Sequence, residues 1–139
     1  MVSPLRTPLP VPAQTTGGTT VSSEDYLSRQ MTTLATGAAT AVYTAGAASS
    51  RQVHVIQTIL ITNPTGGAVT ATLTVYQASN TTAYEFYPAT SLASKGRLVF
   101  PTDGAASLNL VLEPSDEIRL TGNGLTAIVI AQIHQGNVK

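Results

Sequence analysis

The stretch "AVTATLTVYQ", residues 68–77, constrains this chain more than any other. Val69, Ala71, Leu73 and Val75 alternate with Thr70, Thr72, Thr74 and Tyr76. A period of two, with β-branched residues at half of the positions, is what a strand with one dry and one wetter face requires. The preceding run "RQVHVIQTILIT" places Val53, Val55, Ile59 and Ile61 on one face. "NPTGG", Asn63 to Gly67, supplies turn chemistry, so the two runs are expected to form a hairpin. Near the end, "ASLNLVL", "DEIRL" and "LTAIVIAQIH" are separated by "EPS" and "GNG" and read as an antiparallel meander. Its inward positions are Leu108, Leu110, Leu112, Ile118 and Leu120. With "TAVYTA", "AYEFY" and "GRLVF" the chain holds about eight short strands, the pattern of an all-β antiparallel β-sandwich or jelly roll. No internal repeat is visible.

The first residues follow different rules. Pro4, Pro8, Pro10 and Pro12, half of the chain's eight prolines, fix φ and remove amide donors, and "TTGGTT" at 15–20 adds freedom. In "SSEDYLSRQMTTLATG" Ser22 is a cap, Leu27, Met31 and Leu34 recur at helical spacing and Gly37 is a stop, which predicts one short helix. The threonines at 32, 33 and 36 pull the other way. Residues 1–37 are therefore expected to be an extended arm carrying that helix, and residues 38–139 the sandwich. Val2, Leu5, Pro8, Leu9, Pro10, Val11 and Pro12 are the arm's expected partner-binding residues. Each buried aliphatic residue returns about 1.5–3 kcal/mol against an ordering cost of about 1–2 kcal/mol per residue, lowered by proline. One arm gains little by itself, whereas several acting together bind.

Composition narrows the partners. Seven Lys/Arg balance seven Asp/Glu and charged residues are 10% of the chain, which leaves no basic field for nucleic acid. There is no cysteine, hence neither a disulfide framework nor a thiolate metal site. Prolines and threonines follow Arg6 where a signal peptide has its apolar run, and no stretch reaches membrane-spanning length. Neither a nucleic acid nor a membrane is expected as partner. Ile56, Leu60, Ile128 and Ile130 fall on the second face of strands already apolar on the first. Strands dry on both faces need cover beyond their own sandwich, so these four are read as a subunit interface, and the chain as a homotrimer.

The search for chemistry returns little. His54 and His134 lie on strands without a carboxylate two residues away, and both read as surface or interface histidines. "EPSDE" reads as a solvated turn around Glu113, Asp116 and Glu117. "NPTGG" and "TGNGL" lack the lysine and strand-to-helix setting of a phosphate loop, and no serine stands in a nucleophile elbow. No catalytic, metal or cofactor-binding residue is assigned, and the chain is expected not to be an enzyme. Asn80 heads a glycosylation sequon that lacks a secretion signal. Tyr84, Phe86 and Tyr87 are the remaining candidates, as a platform for sugar rings.

Residues 36–134 also carry a resemblance. A short Tyr-containing strand, "ILITN" entering an Asn-Gly-type turn, the return strand "VTATL", and "LEPSDEI" followed by "GNGLTAIV" resemble a family of small β-sandwich structural proteins of tailed-phage particles. The resemblance implies a virion component, often trimeric, whose partners are the major capsid protein or other virion proteins. Capsid decoration, as a cement protein, is the leading expectation. A neck or tail accessory protein and a carbohydrate-binding module are the alternatives.

Overall fold

A computed structural model describes residues 26–47, 51–102 and 107–134. These form nine strands: β1 (Tyr26–Thr33), β2 (Thr40–Thr44), β3 (Val53–Thr62), β4 (Val69–Gln77), β5 (Thr82–Leu92), β6 (Arg97–Phe100), β7 (Leu110–Leu112), β8 (Glu117–Thr121) and β9 (Thr126–His134). One sheet runs β1-β9-β3-β6, with β7 also on β3; the other runs β2-β8-β4-β5. Every pairing is antiparallel. The fold is the all-β sandwich expected, with the strand order of a jelly roll in which β6 and β7 share one edge of β3.

Two pairings differ from those expected. β3 and β4 lie in opposite sheets, so Asn63–Gly67 is a crossover between layers and not a hairpin turn. Likewise β7, β8 and β9 alternate between sheets and form no meander. β4 and β5 are the neighbours in sequence that pair within one sheet. Crossing between layers lets each strand bury its apolar side against the opposite sheet, which a local hairpin does not do by itself.

The core lies between the sheets. Ala71 and Leu73 of β4, Ile118 and Leu120 of β8, and Ala127, Val129 and Ala131 of β9 are fully buried. Leu112 is buried as expected, and Leu108 and Leu110 pack against the same cluster. In β3 the inward residues are His54, Ile56, Ile59 and Ile61, because an irregularity between Ile56 and Thr58 shifts the phase of the strand. Val53 and Val55, expected inside with Ile59 and Ile61, therefore face outward.

Residues 26–33 form a strand and not the expected helix. The spacing of Leu27 and Met31 suits a helix and also suits period two, since four residues is two strand repeats. Pairing with β9 along all eight residues decides between them, and it brings residues expected in the arm into the sandwich.

Asn63 holds one end of the sandwich together. It is fully buried, and its Nδ2 donates to the carbonyls of Gly67 (2.8 Å), Leu92 (2.9 Å) and Ala93 (3.1 Å). Its Oδ1 accepts from the Thr65 amide (3.0 Å) and hydroxyl (2.6 Å). One side chain thus ties the β3–β4 crossover to the β5–β6 turn. The "EPSDE" turn is built in the same way and is not simply solvated. Asp116 is buried, with Oδ1 accepting from the Ala78 amide and Oδ2 from that of Glu113, each at 3.0 Å.

An apolar face on the five-stranded sheet

The register of the five-stranded sheet sets out its outer face row by row. Met31 of β1 stands opposite Ile128 of β9, Ile128 opposite Leu60 of β3, and Leu60 opposite Val99 of β6. These four side chains form an unbroken apolar row perpendicular to the strands. A second row runs Leu27, Gln132, Val55, Val111, and between the two lie Arg29, Ile130 and Thr58. Thr33, Thr126, Thr62 and Arg97 close one rim with polar groups. Seven large hydrophobic side chains are exposed among the described residues, and five of them are on this face: Leu27 (65%), Met31 (59%), Val111 (56%), Val99 (42%) and Val53 (38%). Such concentration on one surface marks a contact site, whereas scattered exposure does not.

β1 supports this reading from the opposite direction. Its inward residues, paired with buried positions of β9, are Tyr26, Ser28, Gln30 and Thr32, while Leu27 and Met31 point away from the core. The strand is inside out for an isolated sandwich. Polar contacts fasten its inner side: Gln30 Nε2 donates to the Thr44 carbonyl (3.3 Å) and Oε1 accepts from the Thr44 amide (3.2 Å).

The outer face of the four-stranded sheet is different in kind. It presents Thr70, Thr72 and Thr74 from β4 and Glu117, Arg119 and Thr121 from β8. Arg119 Nε donates to Glu117 Oε1 at 2.7 Å while its guanidinium lies 3.7 Å from the centre of the Tyr76 ring. Those charges are satisfied in place and that face is wet.

Of the residues expected at a subunit interface, Leu60, Ile128 and Ile130 do share this face. Ile56 does not: it is fully buried in the core, because the irregularity after it turns it inward. The arm residues Val2, Leu5, Pro8, Leu9, Pro10, Val11 and Pro12 lie outside the described residues. Sequence reasoning missed Leu27, Met31, Val99 and Val111. The signal for the first two was the alternation of residues 27–32, in which Ser28, Gln30 and Thr32 mark the other face.

The other candidates resolve into structure. His54 is buried, with Nδ1 2.6 Å from the Tyr43 hydroxyl and Nε2 3.3 Å from Gln52 Oε1. The Gly46 amide also donates to Nε2, at 3.4 Å, so both ring nitrogens have polar partners. Burial holds the His54 pKa below its usual value. It also raises that of Tyr43, against a hydrogen bond with Ser28. His54 is thus an internal histidine and not a surface one, while His134 lies on the outer side of β9 opposite Val53. Phe86 and Tyr87 meet Phe100 edge to face, with centroids 6.5 and 4.8 Å away, leaving Tyr84 as the exposed aromatic of the three. They do not form a shared platform for a sugar. Among the described residues no group of three His, Asp or Glu side chains is placed to hold a metal ion.

No family model and no curated protein matches the chain. Similar solved structures include a chain of the disulfide-linked pili that form Bacillus endospore appendages, at TM-score 0.49 and 12% identity, covering 88% of this chain and 100% of that one. A chain of the T13 particle of infectious bursal disease virus aligns at TM-score 0.42 and 8% identity, covering 82% of this chain and 36% of its own.

Proposed function

We propose that this protein is a non-enzymatic structural subunit of an assembled particle, and specifically a capsid-decorating cement protein of a tailed-phage virion, acting as a homotrimer. The observation that carries the reading is the apolar row Met31–Ile128–Leu60–Val99 spanning four strands of one outer face, while the opposite face is polar. An apolar patch of that extent, rimmed by polar residues, is the mark of an interaction site. The resemblance of residues 36–134 to phage structural proteins supplies the kind of particle. The carbohydrate-binding alternative loses its support, because two of its three aromatic residues are committed to Phe100.

Immunogold labelling and mass spectrometry of purified particles test the assignment. The expected result is many copies per particle with label distributed over the capsid shell. Label on the tail alone transfers the protein to the neck or tail, and absence from the particle ends the reading.

A further inference from the structure

What covers the apolar face follows from symmetry and from the rest of the sequence. A trimer closes through heterologous contacts, in which one patch meets a different patch on the next copy. The apolar face therefore needs a complement elsewhere in the chain. Among the described residues none serves: the four-stranded sheet is polar outside, and the two remaining exposed large hydrophobics, Tyr26 and Tyr84, are in different sheets. The other apolar run in the sequence is residues 2–12.

Those residues have a periodicity of their own. A polyproline helix has three residues per turn, and at that period Val2, Leu5, Pro8 and Val11 fall on one edge. The next edges are mixed, with Ser3, Arg6, Leu9 and Pro12 on one and Pro4, Thr7 and Pro10 on the other. At about 3.1 Å per residue, Leu5 to Val11 spans about 19 Å. Four strands about 4.8 Å apart present a row about 14 Å between outer strand axes and about 19 Å to its edges. The stretch Leu5–Val11 matches the apolar row in length, and Val2 falls about 9 Å beyond it. Residues 13–25 join this segment to Tyr26 on β1, the edge strand of the same sheet, and extend at most about 45 Å. That is enough to reach an adjoining copy.

We infer that residues 2–12 of one copy lie across the outer face of the five-stranded sheet of the next, with Leu5, Pro8 and Val11 on the row Met31–Ile128–Leu60–Val99. This rests on the assembly reading above and names the partner of its face. Lying across the strands, the arm needs no edge of the sheet and no ladder hydrogen bonds, which its prolines are unable to supply.

The test uses the full chain, a Leu5→Asp/Val11→Asp variant, and a Thr7→Asp control that puts a charge on another edge. Both variants carry their changes outside the described residues, and circular dichroism checks that the sandwich is intact. Light scattering gives the mass, and peptide mapping after peroxide treatment gives the oxidation rate of Met31. The full chain and Thr7→Asp are expected to be trimers with Met31 protected. The double variant is expected to associate at least about a hundredfold more weakly and to lose that protection. If the double variant keeps both mass and protection, another surface covers the face; the inference fails while the assembly reading stands. A monomeric full chain whose Met31 is protected only with Leu5 and Val11 intact puts the arm on its own sheet and overturns exchange between copies. A monomer with Met31 unprotected, in solution and on particles, overturns both.

Discussion

Replacing Asn63 by alanine removes the side chain that joins the two turns at one end of the sandwich. Three carbonyls, of Gly67, Leu92 and Ala93, share its two Nδ2 hydrogens, and the Thr65 amide and hydroxyl both point to its Oδ1. The contact to Leu92 is buried, so water does not replace it freely. At a net value of about 1 kcal/mol for each of three effective bonds, with a further penalty of about 1 kcal/mol for a carbonyl left unpaired, the loss is about 4 kcal/mol. Since total stability for such a domain is about 5–15 kcal/mol, that is a large share. Urea unfolding followed by circular dichroism measures it. Asn63→Asp should cost more still, because it turns a carboxylate toward carbonyl oxygens. Thr65→Ala, which leaves the Nδ2 bonds in place, should cost about 1 kcal/mol. The backbone amide of Asn63, which alanine keeps, donates to the Gly96 carbonyl at 2.9 Å and extends the β3–β6 pairing that sets Leu60 beside Val99, so the loss is expected in the two turns and not in that pairing. If Asn63→Ala lies within about 1 kcal/mol of the parent, the contacts are not holding the two turns and the reasoning is wrong.

Ile56→Ala should destabilise the isolated domain by about 3 kcal/mol, whereas Leu60→Thr should leave its unfolding midpoint nearly unchanged and weaken assembly; equal effects in denaturant titration would deny the phase shift between them. His54 makes stability depend on acid: its folded pKa is lowered from 6.5, so the unfolded chain binds the extra proton. The stabilisation is complete above the unfolded value and is lost as the pH falls through the folded one, and urea midpoints across that range should decline less in His54→Gln. Gly122→Ala should cost at least about 2 kcal/mol, because φ is +143° and a Cβ would meet the Leu125 side chain and, at 2.9 Å, the Thr70 carbonyl oxygen. A thermal melt matching the parent would refute it.

How far the sequence could be read depended on whether the deciding contact was local. β4 was legible because Val69, Ala71, Leu73 and Val75 all face the core, even though its pairing with β5 shifts register on either side of Leu73. β3 was not, since "VHVIQTILIT" can be read in one phase throughout or in two, and only pairing with β9 reveals the shift after Ile56. His54 goes inside because Tyr43 of β2 and the Gly46 amide just after it reach its ring from another part of the chain. The expected hairpin failed for a similar reason: Asn63 makes a tight local turn with Thr65 and Gly67, but its other partners, Leu92 and Ala93, belong to a distant turn. Of the face itself, Leu60, Ile128 and Ile130 could be seen as surplus apolar residues. Leu27 and Met31 were harder to place, since their four-residue spacing suits a helix as well as a strand and the alternation of Ser28, Gln30 and Thr32 was the one sign against it.

The two outer faces of the sandwich limit what kind of assembly this subunit can serve. A subunit packed between layers would need both sheets apolar on the outside, and here one is. Glu117, Arg119 and Tyr76 satisfy one another on the wet side, so that side gains little from a partner that has to strip water from the pair. The dry side has two arginines, Arg29 and Arg97, at its margins and no acidic residue in its rows, so two such faces turned toward each other would bring like charges together unless their orientation kept them apart. The same arrangement accepts an apolar strap readily. If residues 2–12, thirteen residues ahead of the edge strand, are that strap, each copy both offers a face and supplies a cover. An interface of that kind has a direction: head-to-tail contacts give a ring where the rotation closes and a filament where it does not, and in either case the polar face of the four-stranded sheet needs no partner.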